Sequence, residues 1–255
     1  MDENNYSKFG QYDISEKLDL QLPKTEIHMT RKEDQRLAYY RKNSINQEIR
    51  KSIPQSNQNV QLELCPVLPL HLPSKITHDL IFLRLTESVF VEKKSTVNFI
   101  IQFPIEIGIF TINSKDGSKH LFDCFTCEPM HSRFALYGTS ENGKLCMYSK
   151  VDLLGNNDVN SYIFAKMKVT MINELDQGVF VKKLVFPITN YTIYYDEKSS
   201  EVHIDDIQGV IKLDVHKEII KISKVDYVSK NKDLKQVSYS STKDNKPFVM
   251  DKGFD

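Results

Sequence analysis

The 255-residue chain carries 34 Lys plus Arg and 34 Asp plus Glu, so its formal net charge is zero. A protein that binds nucleic acid through counterion release carries a basic excess, so this balance disfavours wholesale DNA or RNA binding. The length suffices for one large β domain or two ordinary ones, each able to bury a core without disulfides or metals.

Residues 1–18 are polar and acidic and lack the basic start and apolar centre of a secretory signal, so a cytoplasmic chain is expected. Residues 1–58 read as short strands. Ile27 and Met29 alternate with Glu26, His28 and Thr30, and the stretches 36–41 and 47–53 read as strand or as a short helix. Tyr39-Tyr40-Arg41-Lys42 mixes aromatic and basic side chains, a combination able to stack on nucleobases. The plainer and preferred reading is a strand with one Tyr inward and its neighbours solvated.

Val60 to Leu64 alternates, and the prolines of Cys65-Pro66-Val67-Leu68-Pro69-Leu70-His71-Leu72-Pro73 then call for an extended edge segment. Ile81, Leu83 and Leu85 resume the alternation, followed by Val89-Phe90-Val91. The strongest pattern is Val97 to Ile112, where Val97, Phe99, Ile101, Phe103, Ile105, Ile107 and Ile109 are all apolar. That run exceeds an ordinary strand, and Pro104, which lacks an amide hydrogen, marks the expected break into two strands lining one core. Glu106 falls opposite the isoleucines and is expected as an exposed edge charge that discourages aggregation. No stretch approaches the roughly 18 uninterrupted apolar residues of a membrane span.

Beyond it, residues 121–125 and 134–137 read as strands. Asn142-Gly143 is a hairpin signal that should pair Leu136 near Leu145 through a type I′ turn. Gly155-Asn156-Asn157-Asp158 is the best linker. Ile163 to Met171 alternates, and further strands are expected at 179–186, 191–195, 202–204, 210–215 and 219–222. Val179-Phe180-Val181, Lys182-Lys183 and Phe186-Pro187-Ile188 repeat the order of Val89-Phe90-Val91, Lys93-Lys94 and Phe103-Pro104-Ile105. The expected fold is therefore all-β, with little helix: two tandem Ig-like antiparallel β-sandwich units. Residues 1–155 form the first, 156–225 the second, and 226–255 a polar segment whose end at 248–254 docks back, with Phe248-Val249-Met250 as a strand or clamp.

Phe103-Pro104-Ile105-Glu106-Ile107-Gly108-Ile109-Phe110, with Leu136-Tyr137-Gly138 before Asn142-Gly143 and with Pro69-Leu70-x-Leu72-Pro73, resembles the domain-of-unknown-function family 432. The likeness spans most of the chain, including Tyr40-x-Lys42. In that family's pattern a basic residue and an aromatic follow the Asn-Gly turn, where this chain has Met147 and Ser149. The resemblance implies an archaeal cytoplasmic protein and brings no activity.

Two groups of residues have the composition of a chemical site. Cys124 and Cys127 have the spacing of half a zinc site, with His120 and His131 on either side. Strand positions three apart face opposite ways, however, so buried reduced thiols are the expectation, in company with Cys65 and Cys146. Asp123, Glu128, His131, Arg133, Tyr137 and Glu141 form a polar cluster that loops at one end of a sandwich could gather into a catalytic site. No phosphate loop, nucleophile elbow or cofactor motif is visible. The reading preferred is a non-catalytic binding or scaffolding module that holds a protein partner by sheet edges or loops. The alternative is an enzyme or metal-dependent protein working through residues 123–141.

Overall fold

The computed structural model describes residues 7–54, 60–70, 77, 79–128, 134–155, 159–228, 233–238 and 247–251. Every named element among them is a strand, as the period-two patterns require. They are β1 (Gly10–Ile14), β2 (Lys17–Leu22), β3 (Thr25–Arg31), β4 (Leu37–Asn43), β5 (Glu48–Ile53), β6 (Val60–Val67), β7 (Leu80–Val91), β8 (Thr96–Pro104), β9 (Glu106–Ile112) and β10 (Lys119–Phe125). The second half supplies β11 (Phe134–Tyr137), β12 (Lys144–Val151), β13 (Phe164–Asn173), β14 (Val179–Pro187), β15 (Thr192–Tyr195), β16 (Val202–Ile204), β17 (Asp206–Asp214), β18 (Lys217–Val225), β19 (Lys235–Ser238) and β20 (Phe248–Met250).

Four sheets result. A meander runs β2-β3-β4-β5, a bridging sheet β1-β6-β9-β10, and a short sheet β11-β12-β7-β14. The long sheet runs β19-β15-β16-β13-β17-β18-β20, with β8 added on β13. Both stretches left open between strand and helix, 36–41 and 47–53, are strands of the meander. Most ladders are antiparallel, but β12 with β7 and β13 with β16 and β17 are parallel.

Pro104 ends β8 as expected, and there the chain changes sheets. β8 pairs with β13 in the long sheet, whereas β9 lies between β6 and β10 in the bridging sheet. Pro66 also finds the edge that its missing N–H demands, because β1 pairs β6 only as far as Leu64 while β9 continues alongside to Val67. Glu106 overturns the expectation of an exposed edge charge. It is 2% exposed, in an interior strand, because both faces of β9 are covered and alternation no longer separates core from solvent.

Strands from both sides of residue 155 share two sheets: β7 lies between β12 and β14, and β8 pairs with β13. Shared ladders thus join the two units expected on either side of Gly155. The repeated Val-Phe-Val segments are cross-strand neighbours, Val91 opposite Val179, Phe90 opposite Phe180 and Val89 opposite Val181. The Asn-Gly hairpin pairs Leu136 with Leu145, as read. Its turn differs from the expected type I′: residues 138–143 connect the strands, and the positive φ, 122°, falls on Gly138. Gly143 is required instead by close approach, since a Cβ there would stand 2.5 Å from the Thr139 carbonyl oxygen. Of the end expected to dock back, residues 248–250 form β20 on β18 and residues 252–254 lie outside the described residues; the polar segment also yields β19 on β15.

Candidate functional site

Asp123 is placed by a β-bulge. The β9–β10 register runs from Leu121 opposite Phe110 directly to Asp123 opposite Ile109, so Phe122 is the extra residue. This turns Asp123 toward the meander, where β4 presents Tyr39 and Arg41 and β5 presents Lys51. The carboxylate accepts from the Tyr39 hydroxyl at 2.6 Å, from Arg41 Nε at 2.8 Å and from Lys51 Nζ at 2.7 Å. Arg41 also lies 4.5 Å over the Phe125 ring, and Lys51 lies 5.2 Å from that of Phe122. Burial pushes the Asp123 carboxyl up, but the bonds from Lys51, Tyr39 and Arg41 outweigh it and hold the group below its ordinary value. A carboxylate held ionised among three donors is a structural clasp with no proton to exchange near neutrality.

The other members of the expected cluster do not join it. Tyr137 holds the C-terminal strand: its hydroxyl accepts from the Asp251 N–H at 2.7 Å and contacts Asp251 Oδ1 at 3.3 Å. Glu141 is exposed in the 138–143 connection. Glu128 pairs with Lys24 at 2.5 Å. His131 and Arg133 lie outside the described residues.

The two thiols of the CxxC spacing go to different neighbours. Cys124 donates to Glu106 Oε2 at 3.1 Å, and burial, reinforced by that carboxylate, pushes its thiol far up. Cys127 is raised by burial to about 12, a rise that the nearby Arg41 only moderates. Such thiols stay protonated and unreactive. Among the described residues no group of three or more His, Cys, Asp and Glu side chains could hold a metal ion.

The reading preferred for Tyr39 to Lys42, a strand with one Tyr inward and its neighbours solvated, misses the role of Arg41. Tyr39 points inward as expected, but so does Arg41, only 6% exposed. On the outer face Tyr40 stacks on His28 at 6.0 Å and beneath Arg50 at 5.4 Å. An arginine in phase with the inward Tyr39 and Leu37 was the available signal, because a buried guanidinium demands a carboxylate.

A different part of the molecule leaves apolar surface uncovered. Phe90 and Phe180 are 49% and 53% exposed, with ring centroids 4.9 Å apart, and the Phe90 ring lies where a Cβ on Gly178 would be. The adjoining loops are bonded together. The Asn173 side-chain amide donates to the carbonyls of Val91, Glu92 and Gln177, and Gln177 donates to Glu218 at 2.6 Å. Glu218 lies opposite Leu213 at the tip of the β17–β18 hairpin. Leu213 is 60% and Val215 88% exposed there. The two-residue turn places Val215 at φ 42° and His216 at φ 68°. A β-branched residue in the left-handed region carries a strain of about 1–3 kcal/mol.

A family model described as "Protein of unknown function (DUF432)" matches residues 8–251, nearly the whole chain. No curated protein and no solved structure matches it.

Proposed function

The chain belongs to the DUF432 family, and we propose that it is a non-catalytic protein-binding module of the cytoplasm. The observation that carries this reading is that Phe90 and Phe180, in ring contact, and Leu213 and Val215 are all exposed next to loops that the Asn173 and Gln177 side chains bond together. Exposed apolar groups clustered on bonded loops mark an interaction site, and a strained Val where Asn or Gly would relax the turn adds to that. The rim carries both signs of charge, including the Lys94–Asp176 pair at 3.2 Å, which suits a protein surface better than nucleic acid or an anionic membrane. Elsewhere the buried ionisable groups serve structure. Glu63 accepts from the Tyr195 hydroxyl and pairs with Lys119, and Asp205 accepts from two backbone amides, Tyr194 and Lys224. Four free cysteines, three of them buried, fit a reducing compartment.

The test is affinity capture from the source organism, comparing the natural chain with Phe90→Ser/Phe180→Ser and, separately, Val215→Asn. A protein retained by the natural chain should fall at least ten-fold with the double variant and bind the purified natural chain directly. Val215→Asn should also weaken capture while raising stability by about 1 kcal/mol, because Asn tolerates the turn. Equal capture by all three chains sinks the reading.

A further inference from the structure

One face of the short sheet carries a row of cations. Lys150 on β12 lies opposite Arg84 on β7, and Arg84 lies opposite Lys183 on β14, so three basic residues stand abreast across three paired strands. Ile81, Leu83 and Leu85 of β7 are buried on the other face, which puts Arg84 and Lys150 on the side where both are exposed. Like charges directly opposite one another destabilise a sheet. Among the described residues neither Arg84 nor Lys150 pairs with a carboxylate that would offset this. Asp152, the next acid along β12, accepts instead from the Thr86 hydroxyl. The row works against the fold until an anion covers it. Two residues back along β7 and β12 stands an aromatic pair on the same face: Phe82 and Tyr148 are cross-strand neighbours, both partly exposed, with ring centroids 5.8 Å apart.

We infer that this face binds a short stretch of single-stranded nucleic acid, with the Lys150–Arg84–Lys183 row on its phosphates and the Phe82–Tyr148 pair beneath its bases. Neighbouring strands lie about 4.8 Å apart, so the row spans about 10 Å, which suits a chain of anionic groups and not one isolated anion. An acidic peptide would satisfy the cations but gives the ring pair no task, whereas cations beside stacking aromatics are how sheet faces hold single strands. A footprint of three phosphates needs only this local row, so it is compatible with a chain of zero net charge. Arg84 stands six positions before Phe90 on β7, and the inference does not rest on the protein-binding reading of the Phe90–Phe180 surface.

The experiment measures fluorescence anisotropy of a labelled thymidine oligonucleotide of about ten residues on the purified full chain, over a series of salt concentrations. Three phosphate contacts on a single strand should give a slope of log affinity against log salt of about −2. Arg84→Gln/Lys150→Gln should weaken binding about ten-fold or more and bring the slope toward about −1. Phe82→Leu/Tyr148→Leu should weaken it about five-fold or more at an unchanged slope, an effect that a plain cation patch would not show. If the double aromatic variant does not fold, Tyr148→Leu alone serves, and its binding must still fall. Phe90→Ser/Phe180→Ser should bind the oligonucleotide as the natural chain does, so failure here and failure of the protein-binding reading are separable. No binding at low salt overturns the inference. So does an aromatic variant that binds unchanged, or an oligoglutamate peptide of the same length that competes as well as the unlabelled oligonucleotide, which would make the row a site for an acidic protein segment. A lower urea midpoint for Arg84→Gln/Lys150→Gln would also overturn it, because the row would then serve the fold.

Discussion

Between the meander and β10 the contact carries buried charge beside its aromatic packing: Asp123 meets Arg41, Lys51 and Tyr39, and the pair with Arg41 is almost wholly shielded from water. The short and long sheets carry Ile81, Leu83, Val181 and Leu184 in one and Met167, Val169, Met171 and Ile211 in the other, all essentially without exposure. The two seams have separate tasks. Apolar packing is non-directional and supplies stability in proportion to the area it hides. A buried ion pair recovers little beyond its desolvation cost, but its fixed donors accept one relative placement of the two sheets.

Removing one side of the ionic seam has the largest effect. Asp123→Ala leaves Arg41 buried without its carboxylate and should cost about 3–5 kcal/mol, measured as a fall in the urea midpoint. Replacing the whole set by Asp123→Leu, Tyr39→Phe, Arg41→Met and Lys51→Met should instead leave stability unchanged or raise it by about 1–4 kcal/mol. A loss as large as that of Asp123→Ala would show that the seam stabilises outright. In the apolar seam, Ile211→Val should cost only about 0.5–1.5 kcal/mol, without altering the pH dependence.

Acid sharpens the contrast further. The folded-state value of Asp123 is depressed, so its contribution is present above the unfolded value of about 3.9 and is lost as pH falls through the lower folded value. The unfolded chain binds the extra proton in that window, so stability rises with pH there. Urea midpoints of the natural chain should fall below about pH 4, and the quadruple variant should show a smaller fall. A slope identical in both chains contradicts this assignment. The smallest effect is chemical: Cys65 and Cys127, each raised to about 12 by burial, should resist alkylation at pH 8 until the chain unfolds, as mass spectrometry would show. Modification of either under native conditions would contradict their burial.

Much of the strand content was legible because alternation is local. Val97 to Ile112 needed only its period and Pro104 to announce two strands, and Phe248-Val249-Met250 announced its docking by standing apolar after a polar stretch. Even the Leu136–Leu145 register could be read from the flanking apolar runs, although the turn between them could not. Glu106 failed the same logic, since period two assigns a side chain to a face without saying whether that face is wet.

The candidate site was illegible for a related reason. Asp123 stands close in sequence to Glu128 and Tyr137, yet its partners come from residues 39–51, brought near only when the bridging sheet packs on the meander. A bulge at Phe122 then decided which way Asp123 points. The repeat at Val89 and Val179 was visible, but only pairing made its two phenylalanines one exposed surface. Local sequence dictates where strands form and which side chains alternate, because both follow from backbone geometry within a few residues. Tertiary structure alone decided which faces are covered, which charges meet and which edge accepts β20, because those depend on contacts between residues far apart in the chain.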